Sequence, residues 1–305
     1  MSIVIEHLTV RYGTRLAVDD LCVELPDGAI GLLGRNGAGK SSILKAMLGL
    51  VRPAAGSIVW PGLPSPASPA AIRAHVGYMP ERDAWLPQAT GFQMVAILAR
   101  LSGLPRQDAF RRAHEVLYLV GLEEQRYRAV AGYSAGMRQK AKLAAALVHD
   151  PRVLFLDEPT NGLDPAGRAD MLQLIARLAR DLGKSVLFST HILHDVESVC
   201  DAAVVLEAGR VVAQGSMREL TGGPVRQHEL IVDRPSPGLE AALAALGRVE
   251  RQPDGSYALL LAADAATRDV FAACAQSGAA VRSLVPHRRS LEDVFLQAVA
   301  PPGSP

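Results

Sequence analysis

The chain has 305 residues, enough for one large domain or two ordinary ones, and 49% hydrophobic with 21% charged residues are the proportions of a folded protein with a buried core. A formal net charge of +1 gives no electrostatic reason to expect a nucleic-acid partner, so none is expected. The three cysteines, Cys22, Cys200 and Cys274, form no CxxC pair, which argues against a zinc site or a disulfide framework and fits a reducing compartment.

The start, "MSIVIEHLTVRYG", lacks the basic, apolar and small-residue order of a signal peptide, and no run reaches the ~18 apolar residues of a membrane span, so a cytoplasmic chain is expected. "SIVIEHLTV" alternates apolar and polar residues like a half-buried strand, "AIGLLG" is a short buried strand, and "SSILKAMLGL" has helical spacing. "PGLPSPASPA" (Pro61 to Ala70) holds too much proline for any element and predicts a surface loop. From about Arg82 to Val130 the pattern is helical, broken at Gly103-Leu104-Pro105. Ser134 is placed to cap the helix "MRQKAKLAAALV". The buried strands "RVLFLD" and "SVLFST" follow, separated by the helix "AGRADMLQLIARLARDLG". Strands alternating with helices imply an α/β fold, a mostly parallel sheet with ligands at the carboxyl ends of its strands.

Glycine and proline cluster in "TGGPVRQ", giving a first domain over residues 1–220, a linker at 221–227 and a second domain at 228–305. The second domain reads β-α-β-β-α-β, the order of a ferredoxin-like α+β module, and ends in the helix "SLEDVFLQAVA" capped by Ser290.

The chemistry starts at "GRNGAGKSS". Gly34, Gly39, Lys40 and Ser41 meet the phosphate-loop pattern G-x-x-x-x-G-K-[ST] between a strand and a helix. Glycines let backbone N–H groups curl around phosphate oxygens, and the helix points its positive end at them. Lys40 would neutralise the β- and γ-phosphates, and the Ser41 hydroxyl would ligate Mg²⁺. The plain alternative is a glycine-rich strand-to-helix turn. A magnesium nucleotide site also needs a carboxylate: "VLFLDEP" brings Asp157 to the end of a buried strand to orient Mg²⁺, with Glu158 next to polarise an attacking water.

With these motifs in place, "YSAGMRQ" (Tyr133 to Gln139), shortly before "VLFLDEPTNGLD", resembles the signature of the nucleotide-binding subunits of ABC transporters. Ser134 and Gly136 match its Ser-Gly-Gly-Gln; Ala135 replaces a glycine and Met137 the glutamine. The resemblance implies a P-loop ATPase core with an antiparallel β subdomain and a helical insertion (about 82–145). It implies two such domains paired head to tail around two ATP, with the signature of one contacting the γ-phosphate held by the other. A helix cap without ligand is the plain alternative for the heptapeptide alone. By the same resemblance Tyr12 stacks on adenine, against the alternative of a half-buried turn tyrosine. Gly34, Asn36, Gly37, Gly39, Lys40, Ser41 and Ser42 form the phosphate cradle. Asn161 to Asp164 is the loop crossing the dimer interface, and His191 senses the γ-phosphate.

The usual glutamine after "VGY" is Glu81 here, which keeps acceptors for hydrogen bonds or Mg²⁺ but loses an amide donor. Glutamate there, with the "SLEDVF" tail, resembles a bacterial exporter branch whose permease is a separate chain. The resemblance thus implies an ATPase using ATP and Mg²⁺ (Ser41, Asp157, Glu81), with Glu158, His191 and Lys40 catalytic. The expected partners are a second ATPase subunit, more readily in a homodimer than a heterodimer, and an integral-membrane permease at the cytoplasmic face of the membrane. Trp85, Leu86 and Phe92 are candidates for docking a permease helix. Two other readings stand beside this one: a soluble ABC ATPase acting on ribosome or DNA, and a non-catalytic ATP-binding regulator.

Overall fold

The buried apolar residues of the first strand fall at Ile3, Ile5, Leu8 and Val10, so the alternation slips by one residue after Ile5. In the computed structural model a bulge absorbs the slip: β1 (Ile3–Tyr12) shifts register between Ile5 and Leu8, with His7 at φ 50°, and all four side chains stay buried. β1 is the centre of an antiparallel sheet, flanked by β2 (Arg15–Leu25) and β4 (Ala55–Val59). The structure describes residues 2–83, 85–86, 88–222, 227–233, 235–236, 238–262, 265–287 and 290–299.

β3 (Ala29–Gly34) is buried along its whole length and leads through the glycine-rich loop into α1 (Lys40–Met47). Pro61 to Ala70 is not all loop. Ser68 Oγ accepts from Ala71 N at 3.2 Å and Pro69 takes the first helical position of α2 (Pro69–His75), where the missing N–H of proline costs no bond. β5 (Val76–Met79) follows. The helical stretch begins at α3 (Gly91–Leu101), capped reciprocally by Thr90 and Gln93, and continues in α4 (Arg106–Leu119). Short 3₁₀ turns at Glu124–Tyr127 and Val130–Gly132 precede α5 (Ala135–Leu147). Then come β6 (Val153–Asp157), α6 (Pro165–Arg180), β7 (Ser185–Thr190), α7 (Leu193–Val199), β8 (Ala202–Glu207), β9 (Arg210–Ser216) and α8 (Met217–Thr221).

The main sheet runs β5-β6-β7-β3-β8-β9, parallel except for β9. Strands covered on both faces need no polar residues, which is why "AIGLLG", "VLFL" and "SVLF" are near-continuous apolar runs. β3, β6 and β7 are neighbours, so the loops after Gly34, Asp157 and Thr190 leave the same edge of the sheet.

The chain divides into two compact units, one running to Met217 and the other Arg218–Gln297. The second contains β10 (Gln227–Val232), α9 (Leu239–Ala244), β11 (Gly247–Arg251), β12 (Tyr257–Leu261), α10 (Thr267–Gln276) and β13 (Val281–His287). Its sheet, β11-β12-β10-β13, is antiparallel throughout, the ferredoxin-like arrangement. Leu230, Leu243, Tyr257, Leu259 and Val270 form a core of its own. The last helix, α11 (Leu291–Val299), begins at Ser290, whose Oγ accepts from Asp293 N at 3.2 Å. Thr221 ends α8 and Gln227 opens β10, so the segment read as a linker is shorter than 221–227; residues 223–226 lie outside the described residues.

Candidate active site

The loop from Gly34 to Lys40 turns sharply enough to require glycine. Gly39 has φ 104°, and a Cβ there would lie 2.5 Å from the Ala17 carbonyl oxygen; Gly37 has φ 89°. With those positions bare, the loop and the first turn of α1 line a cleft of about 490 Å³ together with Tyr12 and Arg15 from the β1–β2 hairpin. Glu81, Glu158, Asn161 and His191 complete its wall. Residues 12, 36–42, 81, 158 and 191, far apart in sequence, thus border one space; Gly34 lies beneath it, its carbonyl accepting from Lys40 Nζ at 2.7 Å.

Lys40 is nearly buried, and its ammonium also lies 3.2 Å from Glu158 Oε1, an equally buried carboxylate. Glu158 Oε2 lies 2.9 Å from His191 Nδ1. A carboxylate can only accept, so Nδ1 carries the proton in that bond. Glu158 sits at φ 50°, a left-handed conformation that costs a non-glycine residue roughly 1 kcal/mol or more. Its backbone N–H is held by the Ser189 carbonyl at 3.1 Å and Ser189 Oγ at 3.2 Å, which keeps the turn in that shape.

Asp157, 1% exposed, accepts from Ser41 Oγ at 3.0 Å and Ser189 Oγ at 2.6 Å on one oxygen, and from Tyr78 Oη at 3.5 Å on the other. Burial, then the Asp157 charge, pushes the Tyr78 phenol above its ordinary range, so it remains a donor. Ser41 and Asp157 therefore place two hard oxygen donors side by side at the base of the cleft, a donor set that fits Mg²⁺. Arg15, Arg35, Tyr78 and Ser189 had no motif to announce them; they reach the site by the hairpin, the loop and neighbouring strands.

The signature residues do not join this cleft. Ser134 caps α5 by accepting from Met137 N at 3.2 Å, and Ser134, Ala135, Gly136, Met137 and Asp164 border a second cleft of about 470 Å³. The loop after Glu158 touches both: Asn161 lines the first cleft, Gly162 to Asp164 the second. Of the three docking candidates, Leu86 is 59% exposed, while Trp85 and Phe92 are partly buried, Phe92 stacking on His114 at 4.3 Å. A larger cleft of about 770 Å³ lies on the second unit's sheet, lined by mixed charges including Glu229, Arg248 and Glu250, and none of the predicted site residues reaches it.

The family model described as "ABC transporter" matches residues 18–161, the stretch from the hairpin through the phosphate loop and signature to Asn161. The ABC transporter ATP-binding protein YxlF of Bacillus subtilis is 34% identical over 97% of this chain and 98% of its own length. The chain belongs to the ABC transporter ATP-binding family. Members of this family bind and hydrolyse ATP, which makes this ABC chain an ATPase with ATP as the nucleotide. The daunorubicin resistance ATP-binding protein DrrA3 of Streptomyces coeruleorubidus is 33% identical over 97% of this chain and 95% of its own. Among solved structures, cbiO1 of Clostridium perfringens, part of the transporter complex cbiONQ, matches 72% of this chain and 89% of its own at TM-score 0.65 and 28% identity. YxlF and cbiO1 carry transporter names, and the ribosome or DNA reading finds no support among these relatives. No helix of the described residues is long and apolar enough to cross a membrane.

Proposed function

We propose that this ABC ATPase subunit binds MgATP in the cleft of Tyr12 and the phosphate loop, pairs head to tail with a second copy, and powers export through a separate membrane permease at the cytoplasmic face. The observation that carries the reading is the presence of two unlike half-sites on one chain. One holds Lys40, Ser41, Asp157, Glu158 and His191; the other is a capped helix terminus, Ser134 to Met137, with no phosphate loop beside it. A head-to-tail pair would join each half to the other, giving two complete sites.

In this reading Tyr12 stacks on the base, Asn36 to Ser42 cradle the phosphates, and Lys40 holds the β- and γ-phosphates. Mg²⁺, held by Ser41 and Asp157 with Glu81 beside them, would neutralise charge developing on the transferred phosphoryl group. Lys40 then leaves Glu158 for the phosphates, and Glu158 Oε1 becomes free to accept a proton from the attacking water. His191 keeps Glu158 oriented through Nδ1. Ser134 and the backbone of Ala135, Gly136 and Met137 close on the γ-phosphate from the partner, where a helix N-terminus favours an anion. Asp164 belongs to the dimer loop. Exposed Leu86 and the aromatic cluster behind Phe92 offer the permease an apolar contact. Export is favoured by the drug-resistance name of DrrA3.

Glu158→Gln tests the centre of the proposal. The amide keeps the shape but not the basicity, so ATP should still bind, ATP-dependent dimers should accumulate on size exclusion, and turnover should fall on the order of 10²-fold or more. Near-normal hydrolysis by the variant would falsify the role given to Glu158.

A further inference from the structure

Seven residues, two helical turns, separate Ala135 at the start of α5 from Lys142, so the signature and Lys142 share one face of the helix, with Gln139 between them at the i+4 position. That face is polar where a buried helix face would ordinarily be apolar: Gln139 and Lys142 are 7% and 4% exposed. Both side chains grip backbone on either side of the nucleotide cleft. Gln139 Nε2 donates to the Asn161 carbonyl at 3.0 Å, in the loop after Glu158. Lys142 Nζ donates to the Pro80 carbonyl at 3.1 Å and the Glu81 carbonyl at 2.8 Å, and lies 3.2 Å from Asp83 Oδ1. An ammonium has three N–H groups, and here each has an oxygen to meet. The other Asp83 oxygen lies 3.2 Å from Arg138 Nε, one turn back on α5, so a single carboxylate spans two cations of the same helix.

A buried lysine that is fully partnered is tolerated, but it is rarely needed for stability: well-packed hydrophobic residues in place of buried ionic groups are often neutral or better. What this lysine does that leucine or methionine would not is fix the peptide groups of residues 80 and 81. Glu81 itself is exposed and borders the nucleotide cleft. Burial pulls the Lys142 pKa down, with Asp83 acting against it.

We propose that Lys142 is a positioning residue for ATP hydrolysis: it clamps the Pro80–Glu81 backbone to the signature helix, so that Glu81 and Ser134 to Met137 take up their places as one unit. The inference rests on the nucleotide-site reading of Glu81 given above. It concerns placement, which hydrolysis feels more than binding, because the phosphate loop holds ATP without it.

The test is a double-mutant cycle on the purified full chain, reading kcat and KM for ATP. Lys142→Met should lower kcat about tenfold or more while KM changes less than about threefold, since misplacement of about 1 Å at a reacting centre costs up to ~10²-fold. Glu81→Ala should lower kcat in the wild-type background and add less than about twofold in the Lys142→Met background, because both act through the same placement. Losses that multiply, a normal kcat in Lys142→Met, or a Glu81→Ala variant with unchanged kcat each overturn the clamp.

Asp83→Asn covers the case in which Lys142→Met does not fold. Its side chain is 42% exposed and outside the core, and the substitution weakens the same clamp while leaving both carbonyl contacts. A smaller kcat loss, about two- to fivefold and again non-additive with Glu81→Ala, is expected; additivity overturns the clamp by this route. Glu158→Gln assayed alongside separates the two readings. If it hydrolyses normally, the nucleotide-site reading fails and the clamp with it. If it is inactive while Lys142→Met is fully active, only the clamp fails.

Discussion

Glu158 lies between two partners, with the buried Lys40 at 3.2 Å on one oxygen and the more exposed His191 at 2.9 Å on the other. Removing one member of a buried pair leaves the other uncompensated, so Lys40→Ala is expected to cost both ATP affinity and local stability, whereas Glu158→Gln retains a polar partner for Lys40 and should fold normally. Thermal unfolding of the two variants side by side checks this; a Lys40→Ala protein as stable as wild type would show that the ion pair contributes nothing. Tyr12, 44% exposed at the rim of the same cleft, offers a flat face to a base. Base stacking of this kind is worth about 1–3 kcal/mol, so Tyr12→Ala should raise the Kd for ATP by roughly 5- to 150-fold. An unchanged affinity would assign it to the hairpin turn instead. Most of these residues are legible in the sequence because a phosphate loop and a strand-end Asp-Glu pair have fixed spacing. Ser189, Tyr78 and Arg15 are not, since a lone polar residue on a strand or hairpin carries no period or motif.

Helix ends decide much at the next scale. Ser134 both caps α5 and borders the second cleft, so Ser134→Ala mixes two effects: about 1 kcal/mol from the lost cap and the loss of any phosphate contact. Ser68→Ala removes a comparable cap from α2, whose residues line neither of those two clefts. Comparing the variants separates the effects: similar losses in stability but a kcat loss only in Ser134→Ala are expected, and equal kcat values would reduce the signature serine to a cap. Elements with strong periodicity, such as α4 and α6, and buried apolar runs such as β3, β6 and β7, could be placed from sequence. The start of α2 could not, because proline breaks a helix interior yet suits its first turn, and the distinction lies in Ser68 accepting from Ala71.

Among the described residues, buried apolar side chains pack beneath the sheets of the larger unit, and a separate cluster packs between the sheet and helices of the smaller. Leu230→Ala, at a fully buried position in the smaller core, should cost about 2–5 kcal/mol there. Limited proteolysis should then cut within Arg218–Gln297 while ATP affinity stays at the wild-type value; lost ATP binding would show that the nucleotide site depends on the smaller unit. A source of acid sensitivity is expected in the larger unit, at His149. Burial holds the His149 pKa below its ordinary 6.5, so the folded state binds its proton less readily than the unfolded chain. The stability this represents is present above pH 6.5 and is lost as pH falls from there through the lower folded-state value. Chemical denaturation at stepped pH should show the decline, and it should be shallower in His149→Gln; equal slopes would assign the acid sensitivity to other groups.

By itself the sequence determined the phosphate loop, the strand-end carboxylates, the signature helix with its capping serine and the β-α-β-β-α-β order of the tail. Each rests on local spacing: glycines where the backbone must turn, apolar runs where strands are buried on both faces, and period-two or helical patterns elsewhere. The tertiary structure decided what those pieces do to one another. Only the strand order β6-β7-β3 brings Asp157, His191 and the phosphate loop to one edge, and only the packing of α5 sets Lys142 under Pro80 and Glu81. Such contacts join residues far apart in the chain, 116 positions in the case of Ser41 and Asp157, and no local pattern encodes a meeting over that distance.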